Sequence, residues 1–221
     1  MARFGVVGDI HGSVAYMAAL SRRAFDESLE FLIQVGDFGI YPFLLPTLYQ
    51  KEFKVPTYFI DGNHENFTLL NGIADSVDGD VVEIMTNLYY VKRGSVVELG
   101  GKKFGFLGGA ASVDKAWRTP MVDWFPQEIP TDEEMNRLRG RTDVDYLITH
   151  TPPASVIEKN FDPKTLLYFN LPETWKDYTA VRLDDIWESM GFPQMYCGHM
   201  HRFVVDGQCT ILNIDQMITV I

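Results

Sequence analysis

The sequence predicts an α/β fold with parallel strands, and two observations support this prediction. Short apolar runs typical of buried strands end in Gly-rich loops that carry an acid, and a helical pattern follows the loop. This repeated order of strand, loop and helix is the signature of parallel βαβ units. Polar side chains also recur at the strand ends, which is where α/β folds bind their ligands.

The predicted elements of the first part of the chain alternate between strand and helix. Ser13 is placed as the N-cap of the first helix, and Glu65 is expected to begin a further helix after the third strand. In order, the elements are strand Phe4–Val7, helix Val14–Leu29, strand Phe31–Val35, helix Phe43–Lys51 and strand Thr57–Ile60.

The second part of the chain begins with three strands, the last two joined as a hairpin at Gly100-Gly101. A long irregular segment, residues 108–130, is rich in Trp, Pro and charge, and loops of this length usually serve a site or form a lid. Thr131 then starts a helix with a capping-box pattern. In order, the elements are strands Leu88–Val91, Ser95–Leu99 and Lys103–Leu107, helix Thr131–Arg139, strand Asp145–Ile148, helix Val181–Met190, strand Gln194–Cys197 and short strands around a turn at Asp206-Gly207.

Length and charge limit the classes of protein to consider. The 221 residues contain no Pro/Gly/Ser-rich or charged linker, so we expect one domain over residues 1–221. The formal net charge of −11 argues against strong non-specific binding to nucleic acid or anionic lipid, although bound divalent metals would reverse the field locally.

The expected compartment is the cytoplasm. The two cysteines, Cys197 and Cys209, lie in apolar strand-like contexts and are expected to be buried free thiols rather than a disulfide framework. The first residues enter a strand without the longer apolar core of a signal peptide. No apolar run approaches the length of a membrane span, so no membrane partner is expected.

Five strand-end loops carry residues of the types that bind metals. A lone histidine at a strand end is more often structural, but all five histidines of the chain fall in these loops. Mixed nitrogen and oxygen ligands, with a carboxylate able to bridge, are typical of a two-metal hydrolytic site. The residues are Asp9, His11, Asp37, Asn63, His64, His150, His199 and His201.

The order of these blocks resembles the calcineurin-like metallophosphoesterase family. The resemblance rests on residues 8–12 (Gly-Asp-Ile-His-Gly), 36–37 (Gly-Asp), 62–65 (Gly-Asn-His-Glu), His150 and 198–201 (Gly-His-Met-His). It implies a four-layer αββα sandwich of two mixed β-sheets flanked by helices. It also implies a binuclear metal site at the carboxyl ends of the strands.

The resemblance also implies the roles of the individual residues. One divalent metal would be held by Asp9, His11, Asp37 and His201, and the other by Asp37, Asn63, His150 and His199, with Asp37 bridging. Manganese is the expected metal, and iron, zinc and nickel are alternatives. A bridging water or hydroxide would attack phosphorus in line, and His64 would act as general acid or stabilise the charge of the transition state.

Departures from the family pattern favour the small phosphodiesterase branch. Protein serine/threonine phosphatases carry Asp-Arg-Gly after the second block, whereas Phe38-Gly39 follows Asp37 here. Residues 108–127 resemble small phosphoesterases of bacteriophages and bacteria. The expected substrate is therefore a small or nucleotide-like phosphodiester.

The 108–130 segment offers candidate substrate contacts. Arg118 is a tentative phosphate ligand because its guanidinium can form a bidentate fork, and a solvated loop charge is the alternative. Trp117, Trp124 and Phe125 could stack on a nucleobase or pack in a lid.

Two other functions remain open at this stage. The chain could be a phosphomonoesterase, including a protein phosphatase. It could also be a non-catalytic scaffold of the same fold that binds proteins. A scaffold is expected to lack some ligands or His64, whereas this chain retains the whole set.

Overall fold

Two six-stranded mixed β-sheets with helices on their outer faces form the protein. The computed structural model describes residues 3–221. Its strands are β1 (Phe4–Val7), β2 (Phe31–Gln34), β3 (Thr57–Phe59), β4 (Val81–Met85), β5 (Leu88–Val91), β6 (Ser95–Leu99), β7 (Lys102–Leu107), β8 (Tyr146–Thr149), β9 (Gln194–Cys197), β10 (Val204–Asp206), β11 (Cys209–Ile211) and β12 (Met217–Val220). Its helices are α1 (Val14–Asp26), α2 (Leu45–Leu48), α3 (Phe67–Ala74), α4 (Asp132–Asn136), α5 (Ala154–Asn160) and α6 (Tyr178–Ser189), with 3₁₀ helices at Lys115–Trp117, Pro126–Glu128 and Pro163–Phe169.

The two sheets have similar topology. The first sheet has the strand order β12-β1-β2-β3-β5-β4, and the second sheet has the order β10-β11-β9-β8-β7-β6. In each sheet four central strands run parallel and the two edge strands are antiparallel to their neighbours. The fold class predicted from the sequence, with two mixed sheets flanked by helices, is confirmed.

Alternating side chains divide the interior into three apolar layers. On β1, Val6 points into the central layer between the sheets, whereas Val7 points into the outer layer beneath α1 and α3. On β9, Tyr196 faces the central layer and Met195 faces the outer layer beneath α6. Because strand side chains alternate with a period of two, a strand buried on both faces reads as a continuous apolar run. Full burial of each such side chain contributes roughly 1.5–3 kcal/mol.

The first strand is completed by residues from far along the chain. β12 pairs antiparallel with β1, so that Phe4 lies opposite Val220. The connection before β12 also holds the loop after β1, because the Asp215 N–H donates to the Asp9 carbonyl at 2.9 Å. The Tyr16 hydroxyl donates to the Asp215 carbonyl at 2.6 Å.

Several predicted helices are shorter than expected. The helix expected over residues 43–51 is only α2, because the chain turns away to bury Phe53 and Val55 beneath the first sheet. The helix expected over 131–139 ends at Asn136, and its predicted capping box at Thr131 is present. Expected helix 14–29 ends at Asp26, where Ser28 adopts a positive φ of 58°.

Outside the 108–130 segment, three elements have no counterpart in the predictions. β4 pairs with β5 at the edge of the first sheet, and its partly exposed residues lack a clear alternation. α5 begins directly after Pro153, which fits the preference of proline for helix starts. The third is the 3₁₀ helix Pro163–Phe169.

No helix within residues 3–221 combines the length and the apolar character that a membrane span requires. The first helix, α1, has 13 residues, whereas a span needs about 20.

Candidate metal centre

The predicted site residues follow the carboxyl ends of parallel strands in both sheets. The loops after β1, β2 and β3 supply one group, and the loops after β8 and β9 supply the other. From the first sheet come Asp9, His11, Asp37, Asn63 and His64; from the second come His150, His199 and His201. The contacts below show that the structure brings all eight together.

Two glycines in these loops are needed because carboxylates approach the backbone closely. A Cβ atom at Gly62 would overlap Oδ1 of Asp37, and one at Gly198 would overlap Oδ1 of Asp9. Glycine is the residue that permits such an approach. The Gly that precedes a ligand in the sequence blocks therefore has a steric function.

The first cluster contains Asp9, His11, Asp37 and His201, whose ligand atoms all lie within 4.8 Å of one another. Nε2 of His201 is 3.1 Å from Oδ2 of Asp9 and 3.0 Å from Nε2 of His11. Nδ1 of His11 is 3.8 Å from Oδ2 of Asp37. The carboxylates are buried and the imidazoles are exposed, so the cluster opens outward through its histidines.

The second predicted set is joined through contacts around His150. Its Nδ1–H donates to the Val35 carbonyl at 2.9 Å, so Nε2 is directed into the site. Nε2 lies 3.1 Å from Oδ1 of Asn63 and 3.3 Å from Oδ1 of Asp37. The ring of His199 is 5.0 Å from the ring of His150. Asp37 is therefore common to both sets.

Four site residues adopt left-handed backbone conformations. The φ angles of His11, Asp37, His199 and His201 are 43°, 54°, 65° and 50°. Non-glycine residues held in this region cost on the order of 1–3 kcal/mol each, and they persist where surrounding contacts enforce them. Here the His11 N–H donates to the Asp37 carbonyl at 2.9 Å, and the His199 N–H donates to the Asp9 carboxylate at 3.1 Å.

Burial and close charged neighbours shift the pKa values of three residues of the site. Burial acts to raise the pKa of Asp37, but His150, His64 and His11 outweigh it and hold the pKa well below its usual range. Burial acts to lower the pKa of His150, yet the Asp37 carboxylate raises it to about 10. Burial and the neighbouring His150 hold the pKa of His199 well below its usual range.

A divalent metal fits this set of donors. Asp9 and Asp37 are 0% and 1% exposed, and within residues 3–221 neither carboxylate has a Lys or Arg partner within 4.0 Å. Buried carboxylates require a positive partner, and only imidazoles are near. The convergent oxygen and nitrogen atoms match the ligands that first-row divalent metals take. No cysteine competes at the site, because the Cys197 and Cys209 thiols lie in the outer core of the second sheet.

A buried network orients the amide of Asn63. Its Nδ2 donates to Oγ of Ser112 at 3.0 Å, which leaves Oδ1 directed toward His150. Ser112 in turn donates from Oγ and from its backbone N–H to the Glu128 carboxylate, at 2.6 and 2.9 Å. The roles of Ser112 and Glu128 were not predicted, because no local pattern links positions 16 residues apart in an irregular segment.

A second buried network joins the loop after β3 to the 108–130 segment. Arg93 donates to the Asp61 carboxylate from Nε and Nη2, at 2.9 and 2.6 Å, and from Nη2 to the Gln127 carbonyl at 2.8 Å. The Tyr90 hydroxyl donates to Asp61 at 2.8 Å. Asp61 immediately precedes the block that contains Asn63 and His64. The network therefore fixes the position at which this loop leaves β3. It too was not predicted.

Glu65 was expected to begin a helix, and this expectation is wrong. It is fully buried, and its carboxylate accepts the backbone N–H groups of Gly39 and Ile40 at 3.1 and 2.6 Å. Burial raises its pKa to about 8. Asn66 is the N-cap of α3 instead. Glu65 thus joins the loop that follows Asp37 to the loop that contains His64.

His64 lies beside the predicted metal ligands, and Arg118 contacts its ring. The His64 N–H donates to Oδ1 of Asp37 at 2.7 Å, and its ring is 5.0 Å from the ring of His11. Nη2 of Arg118 contacts Nδ1 of His64, and Nη1 donates to the Asn63 carbonyl at 3.0 Å. Nε of Arg118 lies 3.2 Å from Asp114. The Arg118 side chain is only 6% exposed, and its predicted contact with substrate stays a prediction.

Comparison with known proteins identifies the family. The family model described as calcineurin-like phosphoesterase matches residues 2–203. The chain belongs to the calcineurin-like phosphoesterase family. No curated protein matches the chain in sequence.

Solved structures resemble the calcineurin-like chain at low sequence identity. TT1561 of Thermus thermophilus is 10% identical with a TM-score of 0.54, and the match covers 96% of this chain and 88% of that one. A predicted phosphoesterase from Streptococcus pneumoniae TIGR4 is 15% identical with a TM-score of 0.33, covering 96% and 72%. The likeness to TT1561 shows the fold alone.

Family membership makes the chain a phosphoesterase whose Asp/His cluster fits a divalent metal site. The calcineurin-like fold places those residues at the strand ends of both sheets, as the resemblance in the sequence implied. The roles of individual ligands and of His64 stay predictions.

The Arg118→Met variant distinguishes two roles for that side chain: positioning of His64, which it contacts, and the predicted contact with substrate. Because the guanidinium is buried and contacts His64, we expect kcat to fall by about 10-fold while KM changes little, since a positioning contact acts on the reacting groups. Steady-state kinetics beside Arg22→Met, an exposed position on α1, measures the split. A rise in KM with unchanged kcat would instead assign Arg118 to substrate binding.

Proposed function

We propose that the chain is a metal-dependent phosphodiesterase that acts on a small or nucleotide-like ester. The observation that carries this proposal is the composition of the cavity beside the histidines. The cavity has a volume of about 420 Å³, within the range of small-ligand sites. Besides the polar residues of the centre, its lining includes four apolar residues, which are Val113, Leu166, Phe169 and Met200.

The charge of this cavity favours a diester over a monoester. None of its lining residues is Lys or Arg, and the acidic residue Asp114 is among them. A monoester dianion gains most from an Arg fork or a Lys charge, whereas a diester carries one negative charge and a second organic group. The nearest guanidinium, that of Arg118, is already bound by protein groups. The apolar wall suits the second organic group.

His64 is the residue we assign to the leaving group. Arginine can only donate hydrogen bonds, so its contact with Nδ1 makes that nitrogen an acceptor and puts the ring proton on Nε2. Burial, partly offset by Asp37 and reinforced by Arg118, lowers the pKa of His64. The neutral ring then donates from Nε2 to the leaving oxygen as negative charge develops there.

The metal ligands have a separate task, which is to hold the reacting phosphate. When bound, two divalent ions would supply Lewis acidity toward the phosphoryl oxygens and a nucleophile at neutral pH. Asp9, His11, Asp37 and His201 are assigned to one ion, and Asp37, Asn63, His150 and His199 to the other. The donors divide equally between oxygen and imidazole nitrogen at each ion, a mixture that accepts manganese, the metal we favour, and also iron, zinc or nickel.

We assign the protein to the reducing cytoplasm, either of a bacterium or of a bacterial cell infected by a bacteriophage. The free thiols of Cys197 and Cys209 support it, because their sulfur atoms are 3.8 Å apart without a bond. The net charge of −11 supports a small substrate rather than a long polyanion.

Rates on paired esters test the proposal. We expect kcat/KM of the manganese-loaded protein to be at least about 10-fold higher on bis(p-nitrophenyl) phosphate than on p-nitrophenyl phosphate, equivalent to roughly 1.4 kcal/mol. Chelator-treated protein is the control and should be inactive on both. A large preference for the monoester would make the chain a phosphomonoesterase. Absence of turnover on any ester with all four metals would favour the scaffold.

A further inference from the structure

Three aromatic side chains form a cluster at the mouth of the metal cavity, here called the aromatic wall: Trp117, Tyr168 and Phe169. Trp117 comes from the 108–130 segment, and the other two come from the 3₁₀ helix Pro163–Phe169. The ring centroids of Trp117 and Phe169 are 5.3 Å apart, and those of Trp117 and Tyr168 are 5.6 Å apart. Phe169 lines the cavity directly.

The aromatic wall is exposed although its rings contact one another. Trp117 is 55% exposed and Tyr168 is 75% exposed. Single exposed apolar residues are ordinary, but mutually packed rings from two separate segments at the rim of a site are a feature that ligands use. The wall is continuous with the apolar lining of Leu166 and Met200, so it extends the cavity away from the metal ligands.

We propose that the aromatic wall binds a planar aromatic group carried by the substrate ester, with a nucleobase as the favoured group. This inference rests on the proposed function, because it assigns the second organic group of the ester. Apart from the predicted metal ligands and His64, four of the six lining residues are apolar and none is Lys or Arg, so binding beyond the phosphate comes mainly from apolar and stacking contacts. Ring stacking tolerates any base, which fits a wall that offers aromatic faces and no base-reading Asn, Gln or Arg.

Charge and size favour a mononucleotide-sized ligand over a nucleic acid strand. The chain carries a net charge of −11, and the lining includes Asp114 beside the wall. A strand of nucleic acid would bring many phosphates against this negative surface. One phosphate at the metals and one ring on the wall satisfy both parts of a cavity of about 420 Å³.

Equilibrium binding to the manganese-loaded full chain tests the aromatic wall without requiring turnover. The probes are thymidine 5′-monophosphate, phenyl phosphate and methyl phosphate, which share a phosphate and differ in the attached group. Calorimetric titration should show both ring-bearing phosphates binding at least about 10-fold more tightly than methyl phosphate. A greater advantage for the nucleotide assigns the wall to nucleobases, whereas an equal advantage for phenyl phosphate assigns it to aryl groups generally.

Two variants and one control separate the wall from general effects. In Trp117→Ala and Tyr168→Ala the ring advantage should fall to about twofold or less, while the affinity for methyl phosphate is unchanged. Both side chains are largely exposed, so the fold should persist, and thermal unfolding checks this. Phe25→Ala, which removes a 59% exposed ring on α1, should keep the full advantage.

The outcomes separate this inference from the proposed function. Equal binding of the three phosphates by the wild type, or a ring advantage that survives in both wall variants, overturns the aromatic wall as a substrate subsite. Ring-dependent binding without diester hydrolysis would leave the wall standing and overturn the phosphodiesterase assignment.

Discussion

Asp37→Ala is expected to abolish both metal retention and turnover. Asp37 is the side chain common to the two ligand sets, since its carboxylate lies 3.8 Å from His11 and 3.3 Å from His150. Its loss would remove a donor, and one negative charge, from both predicted ligand sets. Metal analysis of the purified variant, beside kinetics on a diester, measures both effects.

The matched control for Asp37 is a carboxylate outside the site. Asp143→Ala removes a carboxylate whose side chain is 45% exposed and pairs with Lys103 and Arg141. Exposed pairs of this kind contribute roughly 0–1 kcal/mol, so metal content and turnover should remain. Asp37→Asn, which keeps the shape, guards against misfolding in the alanine variant. Two metal ions retained by a folded Asp37→Ala protein would contradict the bridging assignment.

His64→Ala is expected to leave the metal content nearly intact and to lower kcat by about 10²–10³-fold, the range for loss of one hydrogen-bond donor to a developing negative charge. The backbone N–H of His64, not its side chain, donates to Asp37, so the ligand geometry should survive the substitution. The two variants therefore separate binding of metal from catalysis. Metal content and single-turnover rates should be measured on the same preparations.

A substrate with a good leaving group sharpens the His64 test. A hydrogen-bond donor to the leaving oxygen matters less when that oxygen is weakly basic, so the loss should be smaller for a p-nitrophenyl leaving group than for an alkyl one. All five histidines of the chain lie at the site, so no remote histidine can serve as control. The control is His64→Gln, whose side chain retains a hydrogen-bond donor. Unchanged turnover in His64→Ala would remove its catalytic assignment.

The parts of the structure that could be predicted from sequence are those with local signals. Strand-end loops carrying Asp9, Asp37 or His150 combine an apolar run, a small residue and a ligand, and each is legible within a few positions. The parallel topology follows from their alternation with helices, and the resemblance supplied the second sheet. Hence the fold class, and the proximity of the eight side chains of the site, could be predicted from the sequence alone.

The buried hydrogen bonds that hold the site residues in place could not be predicted, because they join distant positions that no sequence pattern links. Glu128 holds Ser112, and Arg93 holds Asp61, through pairings that only the folded backbone creates. Glu65 fits a common helix-start pattern, but its carboxylate instead accepts hydrogen bonds from the backbone N–H groups of Gly39 and Ile40. Element ends were shifted for the same reason, as where burial of Phe53 shortened α2.

The pairing of β1 with β12 has a consequence for how the protein is made. The loop that carries Asp9 is held by Asp215, and the Tyr16 hydroxyl that also reaches Asp215 lies 199 positions before it. Contacts between such distant positions form late, because closing the intervening chain costs entropy. During synthesis on the ribosome the first loop therefore emerges long before its neighbours. Because the predicted ligands extend from Asp9 to His201, the predicted metal site is complete only after the chain has been synthesised through His201.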